Sequence, residues 1–307
     1  MSKNIYIALS TFAEFGNKPI DILESKNFSI LRNLTKKRLN QSQIIEQAEN
    51  ADGIIAGVEP YTKSVIDKLP NLKCISRAGV GVDNIDLEYA KYKNIVIRNT
   101  PLEVITPVLE LTLSMIFGLL RKTGQQTQLL KSGHWKKLNG SNLFEKKVGV
   151  IGTGRIGKKV AECLKYLGSE VLLCDLKEDV KWSQSMNLKY YDLNEIIKSC
   201  DIITLHSSAD INDSLIKEED IKKMKKGSII INTSRGELIE ESALIYGLEN
   251  NILSGVGLDV YPEEPYSGRL VDYDNIILTP HVATLTTESR LKMEIKAVEN
   301  IVEFFVK

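Results

Sequence analysis

The sequence predicts an α/β protein built from two doubly wound parallel sheets, and three observations carry that reading. Short apolar runs alternate with amphipathic helical stretches along the whole chain, the pattern of a parallel sheet covered on both faces. One run, Val148 to Ile151, passes straight into Gly152-Thr153-Gly154-Arg155-Ile156-Gly157 and then into a helical pattern with Val160, Leu164 and Leu167. The 307 residues suffice for about two domains.

The glycine stretch organises the rest. Gly152 permits a tight strand-to-helix turn, Gly154 lets a pyrophosphate approach the backbone, and Gly157 lets helix and strand pack closely. The helix N-terminus offers unpaired N–H groups and a positive dipole end to phosphates. The next run, Val171 to Cys174, ends in Asp175, whose carboxylate can accept the ribose hydroxyls of an adenosine. Strand, glycines, helix, strand and acid in this order point to a dinucleotide such as NAD; Gly-x-Gly-x-x-Gly alone would not.

Composition excludes several other classes. Lys plus Arg equals Asp plus Glu at 40 each, so no charge excess points to nucleic acid or an anionic membrane. The longest apolar run, Leu111 to Leu120, is broken by Thr112, Ser114 and Gly118 and is shorter than the ~20 residues of a membrane span. The N-terminus runs directly into a strand pattern without a signal-peptide core. Cys74, Cys163, Cys174 and Cys200 form no CxxC pair and no zinc framework, so no metal is expected and the expected location is the cytoplasm.

Taken in order, strands are expected at residues 5–9, 52–56, 73–77 and 94–97. Helical patterns fall at 44–48, with Asn40 or Ser42 as cap, and at 62–69 and 86–92. A long helix follows Pro101, with Val104, Val108, Leu111, Met115 and Leu119 along its core face. After the central strand the alternation resumes, with strands at 201–205, 228–232, 254–260 and 275–278 and a last helix at 287–305.

Several loops at strand ends carry chemistry-bearing residues. Arg77-Ala78-Gly79-Val80-Gly81-Val82-Asp83-Asn84 can aim successive N–H groups at one anion, or be a plain turn. Taken singly, Arg235 reads as a surface ion-pair residue, Glu264 as part of a solvated acidic loop and His281 as a buried hydrogen-bonded histidine. Together they put a cation, an acid and a base at the carboxyl ends of strands, where α/β sheets bind ligands.

This set resembles the D-isomer-specific 2-hydroxyacid dehydrogenase family over nearly the whole chain, most of all its short 3-phosphoglycerate dehydrogenases. The carrying residues are the 77–84 loop, Gly152–Gly157, Asp175, Asn232–Gly236, Gly257–Val260 with Glu264-Pro265, and Thr279–Ala283. The resemblance implies a discontinuous flavodoxin-like substrate domain (1–100 plus 282–307) around a Rossmann cofactor domain (101–281). It implies Arg235, Glu264 and His281 as catalytic residues. Around NAD it implies Gly152, Gly154, Arg155, Ile156, Gly157, Asp175, His206, Thr233 and Asp259, the last against the nicotinamide amide. Arg77, Gly79, Val80 and Gly81 are implied for the substrate. The residue types suit the chemistry: a guanidinium fork holds carboxylate and carbonyl oxygens, an imidazole exchanges the hydroxyl proton, and a carboxylate fixes the imidazole's tautomer.

Two departures bear on the substrate. Ser208 stands where the family has a proline two residues after its histidine. Glu59 stands near the position where many phosphoglycerate dehydrogenases carry an arginine, and an unpaired carboxylate there would oppose a substrate phosphate. Arg77 and Lys63 are the nearest cations by sequence. The reading is therefore an NAD-dependent oxidoreductase acting on 3-phosphoglycerate and 3-phosphohydroxypyruvate, the last two compounds belonging to serine biosynthesis. A hydroxypyruvate or glyoxylate reductase is the alternative, and a non-enzymatic NAD-sensing scaffold a second. Partners expected are a small 2-oxo or 2-hydroxy acid and a second copy of the chain, through the apolar helix after Pro101 and the 133–140 loop with Trp135.

Overall fold

The computed structural model describes residues 2–208 and 213–306. They form two compact units, Met1–Val104 with Thr284–Lys307, and Ile105–Ala283. The first boundary falls after Val104 and not at Thr100. Thr100 is tied back into the first unit, accepting from the Gly79 N–H at 2.7 Å and donating its own N–H to the Gly79 carbonyl at 3.0 Å.

The first unit holds strands β1 (Asn4–Ile7), β2 (Ser29–Arg32), β3 (Gly53–Ala56), β4 (Cys74–Arg77) and β5 (Val96–Arg98). Between them run α1 (Lys18–Ser25), α2 (Gln41–Ala48), α3 (Lys63–Ile66) and α4 (Leu87–Tyr92). All five strands are parallel in the order β2-β1-β3-β4-β5. A core of Tyr6, Ile44, Ile54, Tyr61, Val65, Ile75 and Ile85 fills one face. The α2 cap is Asn40, whose side chain accepts from the Gln43 N–H while Gln43 reaches back. The β2 strand was not expected; it is an edge strand with mostly exposed side chains, so it lacks the apolar run that marks the others.

The second unit begins with α5 (Ile105–Arg121) and α6 (Thr123–Lys131). Then come β6 (Lys147–Ile151), α7 (Arg155–Tyr166), β7 (Glu170–Cys174), α8 (Val180–Ser185), β8 (Lys189–Tyr190), α9 (Leu193–Ser199) and β9 (Ile202–Leu205). The unit closes with α10 (Glu218–Ile221), β10 (Ser228–Asn232), α11 (Glu241–Glu249), β11 (Leu253–Leu258) and β12 (Ile276–Leu278). Seven parallel strands run β12-β11-β10-β9-β6-β7-β8, so the order reverses between β6 and β9. That switch point is where the carboxyl ends of doubly wound strands open a binding crevice. Alternate side chains feed two cores: Ile203, Ile230 and Val256 on one face, Val150, Ile202, Ile229 and Ile231 on the other. The α5 face that packs is Val108, Thr112, Met115, Ile116 and Leu120; Leu111 and Leu119, expected in the core, are only partly buried. The final helix, α12 (Thr287–Phe305), returns to the first unit and packs on β3 and β4.

Candidate active site

The dinucleotide cradle sits at the end of β6. Gly152 has φ +90°, a conformation that disfavours any side chain, and a Cβ there would lie 2.5 Å from the His206 carbonyl carbon. A Cβ at Gly157 would lie 1.8 Å from the Gly152 oxygen, whereas nothing stands within 4 Å of one at Gly154. The two outer glycines therefore close the turn and the middle one leaves open space. No side chain caps α7, so the N–H groups of its first turn, at Arg155, Ile156 and Gly157, face outward for an anion. At the end of β7, Asp175 Oδ2 accepts from the Thr153 N–H at 2.5 Å and the Thr153 hydroxyl at 3.0 Å, and Oδ1 accepts from the Lys177 N–H at 2.8 Å. A space over Gly154, a bare helix N-terminus and a carboxylate beyond it fit a dinucleotide such as NAD. His206 follows β9, with Nε2 2.9 Å from Thr204 Oγ1; burial lowers its pKa to about 3, so the ring stays neutral. The Thr233 hydroxyl lies 3.0 Å from that of Thr112 on α5.

The catalytic candidates cluster one strand over. Asn232 ends β10 and clamps the following turn: its side-chain NH₂ donates to the Arg235 carbonyl at 2.7 Å and its oxygen accepts from the Ser234 N–H at 3.0 Å. Arg235 Nη1 donates to the Ser234 carbonyl at 2.8 Å. Gly236 is a close-approach position, since a Cβ there would lie 2.0 Å from the Tyr261 carbonyl carbon. That contact seats the Arg235 turn against the 261–264 loop. In this loop Glu264 Oε1 accepts from the Tyr261 N–H at 3.2 Å. Glu264 and His281 meet, with Nδ1 2.9 Å from Oε2 and 3.1 Å from Oε1. Both remain partly exposed, so His281 is reachable by a small molecule.

Asp259 is fully buried and serves the same cluster. Its Oδ1 accepts from the Thr279 hydroxyl at 2.5 Å and the Val282 N–H at 2.8 Å, and its Oδ2 from the Ala283 N–H at 2.9 Å. These bonds bracket His281, whose backbone is left-handed at φ +53° and whose N–H donates to the Thr279 carbonyl. Tyr261 Oη donates to carbonyls of Leu258 and Thr279, and its pKa is pushed up to about 12, chiefly by burial and then by Asp259. The roles of Asn232, Gly236 and Asp259 as braces were not read from the sequence, because their partners lie in other loops.

In the first unit, the 77–84 loop follows β4. The Gly79 N–H is taken by Thr100, so this residue offers conformation, at φ +141°, and not a donor. Among the described residues nothing accepts from the Val80 and Gly81 N–H groups, and the Asn99 side chain holds the Val80 carbonyl at 2.8 Å. The Arg77 guanidinium lies over Gly79 and donates to the Ala78 carbonyl at 2.9 Å. Glu59 differs from expectation: it is not an outward, unpaired carboxylate but only 3% exposed, with Oε2 accepting from the Gly57 N–H at 2.8 Å. Its own tight loop folds it inward, and Asn84 fastens that loop by donating to the Glu59 and Gly57 carbonyls. Lys63 sits over the Tyr89 ring, 5.0 Å from its centre.

Comparison with known proteins follows the same lines. Residues 113–283 match the sequence profile of the D-isomer specific 2-hydroxyacid dehydrogenase, NAD binding domain. A D-3-phosphoglycerate dehydrogenase of Methanocaldococcus jannaschii is 38% identical over 82% of this chain and 49% of its own length. A hydroxypyruvate reductase of Thermotoga maritima is 33% identical over 87% of this chain and 89% of its own. The chain spans about half the length of the curated phosphoglycerate dehydrogenases it matches. A D-lactate dehydrogenase of Aquifex aeolicus, solved with NAD and lactic acid, superposes with a TM-score of 0.84 at 27% identity, covering 98% of this chain and 95% of that one. By profile, sequence and fold together, the chain belongs to the D-isomer specific 2-hydroxyacid dehydrogenase family.

Proposed function

We propose that this protein is an NAD-dependent dehydrogenase that interconverts a D-2-hydroxy acid and its 2-oxo acid. The observation that carries the reading is the Glu264–His281 pair, held at the carboxyl ends of strands in the unit that contains the dinucleotide cradle. With Nδ1 donating to the carboxylate, His281 presents Nε2 to exchange the substrate's hydroxyl proton. Arg235 supplies a planar fork for the carboxylate and the carbonyl oxygen. In the first unit, the Val80 and Gly81 N–H groups are neutral donors suited to an anion such as a carboxylate. The reduced cofactor, when bound, supplies the hydride.

For the substrate we infer 3-phosphohydroxypyruvate and 3-phosphoglycerate. Names among the relatives support this; Glu59 turns its carboxylate inward onto the Gly57 N–H and is not the outward charge that its sequence position suggests. One observation favours hydroxypyruvate instead: the hydroxypyruvate reductase is matched along 89% of its length, the phosphoglycerate dehydrogenases along about half. The test is kcat/KM with NADH for 3-phosphohydroxypyruvate, hydroxypyruvate and glyoxylate. At least tenfold preference for the phosphorylated acid supports a phosphate site, a ratio equal to about 1.4 kcal/mol of transition-state binding. Equal or reversed values move the assignment to a hydroxypyruvate or glyoxylate reductase. No turnover of any 2-oxo acid, with NADH bound, would leave the NAD-sensing scaffold.

We further infer a homodimer acting in the cytoplasm. Helix α6 has no buried residue, and Leu130, Trp135 and Phe144 are exposed around it in sequence. Cytoplasmic location rests on the four unpaired thiols, and no helix among the described residues is long and apolar enough to cross a membrane.

A further inference from the structure

Beyond Asp175, the adenosine end of the cradle contains a hydrogen-bonded chain that the sequence did not announce. The Asp179 N–H lies 3.1 Å from Tyr190 Oη, Tyr190 Oη lies 2.8 Å from Thr153 Oγ1, and Thr153 Oγ1 lies 3.0 Å from Asp175 Oδ2. The two ends fix its direction. A backbone N–H can only donate, and an ionised carboxylate can only accept. All three bonds form together in one arrangement alone: Asp179 donates to Tyr190, Tyr190 to Thr153, and Thr153 to Asp175. The register of β8 on β7 pairs Tyr190 with Leu173, two residues before Asp175, which places the phenol beside the carboxylate.

We propose that Tyr190, acting through Thr153, is a positioning residue that sets the cofactor choice of this protein. The chain saturates Oδ2 with the Thr153 N–H and hydroxyl and so fixes the plane of the carboxylate. Oδ1 takes only the Lys177 N–H among the described residues, which leaves it acceptor capacity for a ribose hydroxyl. A fixed anion at that point favours a ribose with free hydroxyls and opposes a 2′-phosphate. On α7, Lys158 is occupied: its ammonium pairs with the Asp179 carboxylate and lies 5.1 Å from the Trp182 ring centre. The inference rests on the reading of this unit as an NAD site and adds to it the residues that orient its acid.

The test is a double-mutant cycle read by binding. Kd values for NADH and NADPH are measured by fluorescence titration for the full chain, without substrate. Wild type is expected to bind NADH more tightly than NADPH. Tyr190→Phe, which keeps the ring and removes the hydroxyl, is expected to weaken NADH binding about fivefold and NADPH binding less than about twofold. Thr153→Val is expected to act like Tyr190→Phe, and Thr153→Ser to restore wild-type affinity. In an Asp175→Ala background, Tyr190→Phe is expected to change the NADH Kd by less than about twofold, because its route to the cofactor is gone. An equal loss in both backgrounds, or an unchanged NADH-to-NADPH ratio in Tyr190→Phe, would overturn the proposal while leaving the NAD site intact. Failure of wild type to bind NADH at all would overturn the underlying reading as well.

Discussion

His281 presents Nδ1 to both oxygens of Glu264, 2.9 Å from Oε2 and 3.1 Å from Oε1. A carboxylate at this distance accepts a hydrogen bond from Nδ1–H, and so selects the tautomer in which Nε2 carries the lone pair. The pair thus has one nitrogen committed to orientation and one open to chemistry. His281→Ala is expected to lower kcat by roughly 10²–10⁴-fold while NADH affinity, measured by fluorescence, stays within about twofold. Arg235→Lys is expected to be damaging although the charge is kept, because an ammonium cannot span two oxygens in one plane. Full activity in His281→Ala would remove the histidine from the mechanism.

The other histidine of the second unit's binding face gives a pH dependence of opposite origin. Burial holds the folded-state pKa of His206 down to about 3, against 6.5 for an ordinary imidazole. As pH falls below 6.5 the unfolded chain takes up a proton that the folded chain refuses until about pH 3. Stability from this residue is therefore fully present above 6.5 and is lost on acidification. Between pH 7 and pH 5 the loss is at most about 2 kcal/mol. His206→Asn is expected to flatten that part of the profile for the apo protein in urea titrations. An identical decline in both proteins would show that other groups account for the acid sensitivity.

The exposed arm predicts assembly. Helix α6 buries no residue, and Trp135 is 83% exposed in the isolated chain. Aromatic side chains, tryptophan among them, are enriched at protein interfaces relative to the rest of the surface. Sedimentation at micromolar concentration is expected to show a species of twice 34.4 kDa, and Trp135→Ser combined with Leu130→Ser to shift it towards the single chain. Only single chains from the unmodified protein would refute a homodimer.

Some of this molecule is legible along the chain and some is not, and the division has a physical cause. The β6–α7–β7 unit could be read because Gly152, Gly154, Gly157 and Asp175 meet local demands: a turn, an approach, a packing contact and a strand end. Strand β8, two residues long, and β2, an exposed edge, carry too little apolar pattern to be seen. The inward turn of Glu59 depends on the shape of one loop, and the Asp179–Tyr190–Thr153–Asp175 chain depends on strand register. Spacing and residue type encode neither: the first is set by the backbone path of the 57–59 loop that Asn84 fastens, and the second joins segments distant in sequence.

Asp259 shows the same limit and gives a discriminating experiment. The resemblance implies contact with the nicotinamide amide, whereas the folded chain gives its carboxylate three donors: the Thr279 hydroxyl, the Val282 N–H and the Ala283 N–H. Asn in its place supplies one acceptor oxygen and one NH₂. If the oxygen faces Thr279 and Val282, the NH₂ meets the Ala283 N–H; if it is flipped, the NH₂ meets the Val282 N–H. Either way a buried donor faces a donor, at a cost of about 1–3 kcal/mol. Asp259→Asn is therefore expected to lower the apo protein's stability in urea by that amount. It is also expected to reduce kcat, because the left-handed turn that presents His281 loses its frame, with the NADH Kd changing little. A variant with unchanged stability and a large rise in the NADH Kd would instead make Asp259 a cofactor ligand and remove it from the support of His281.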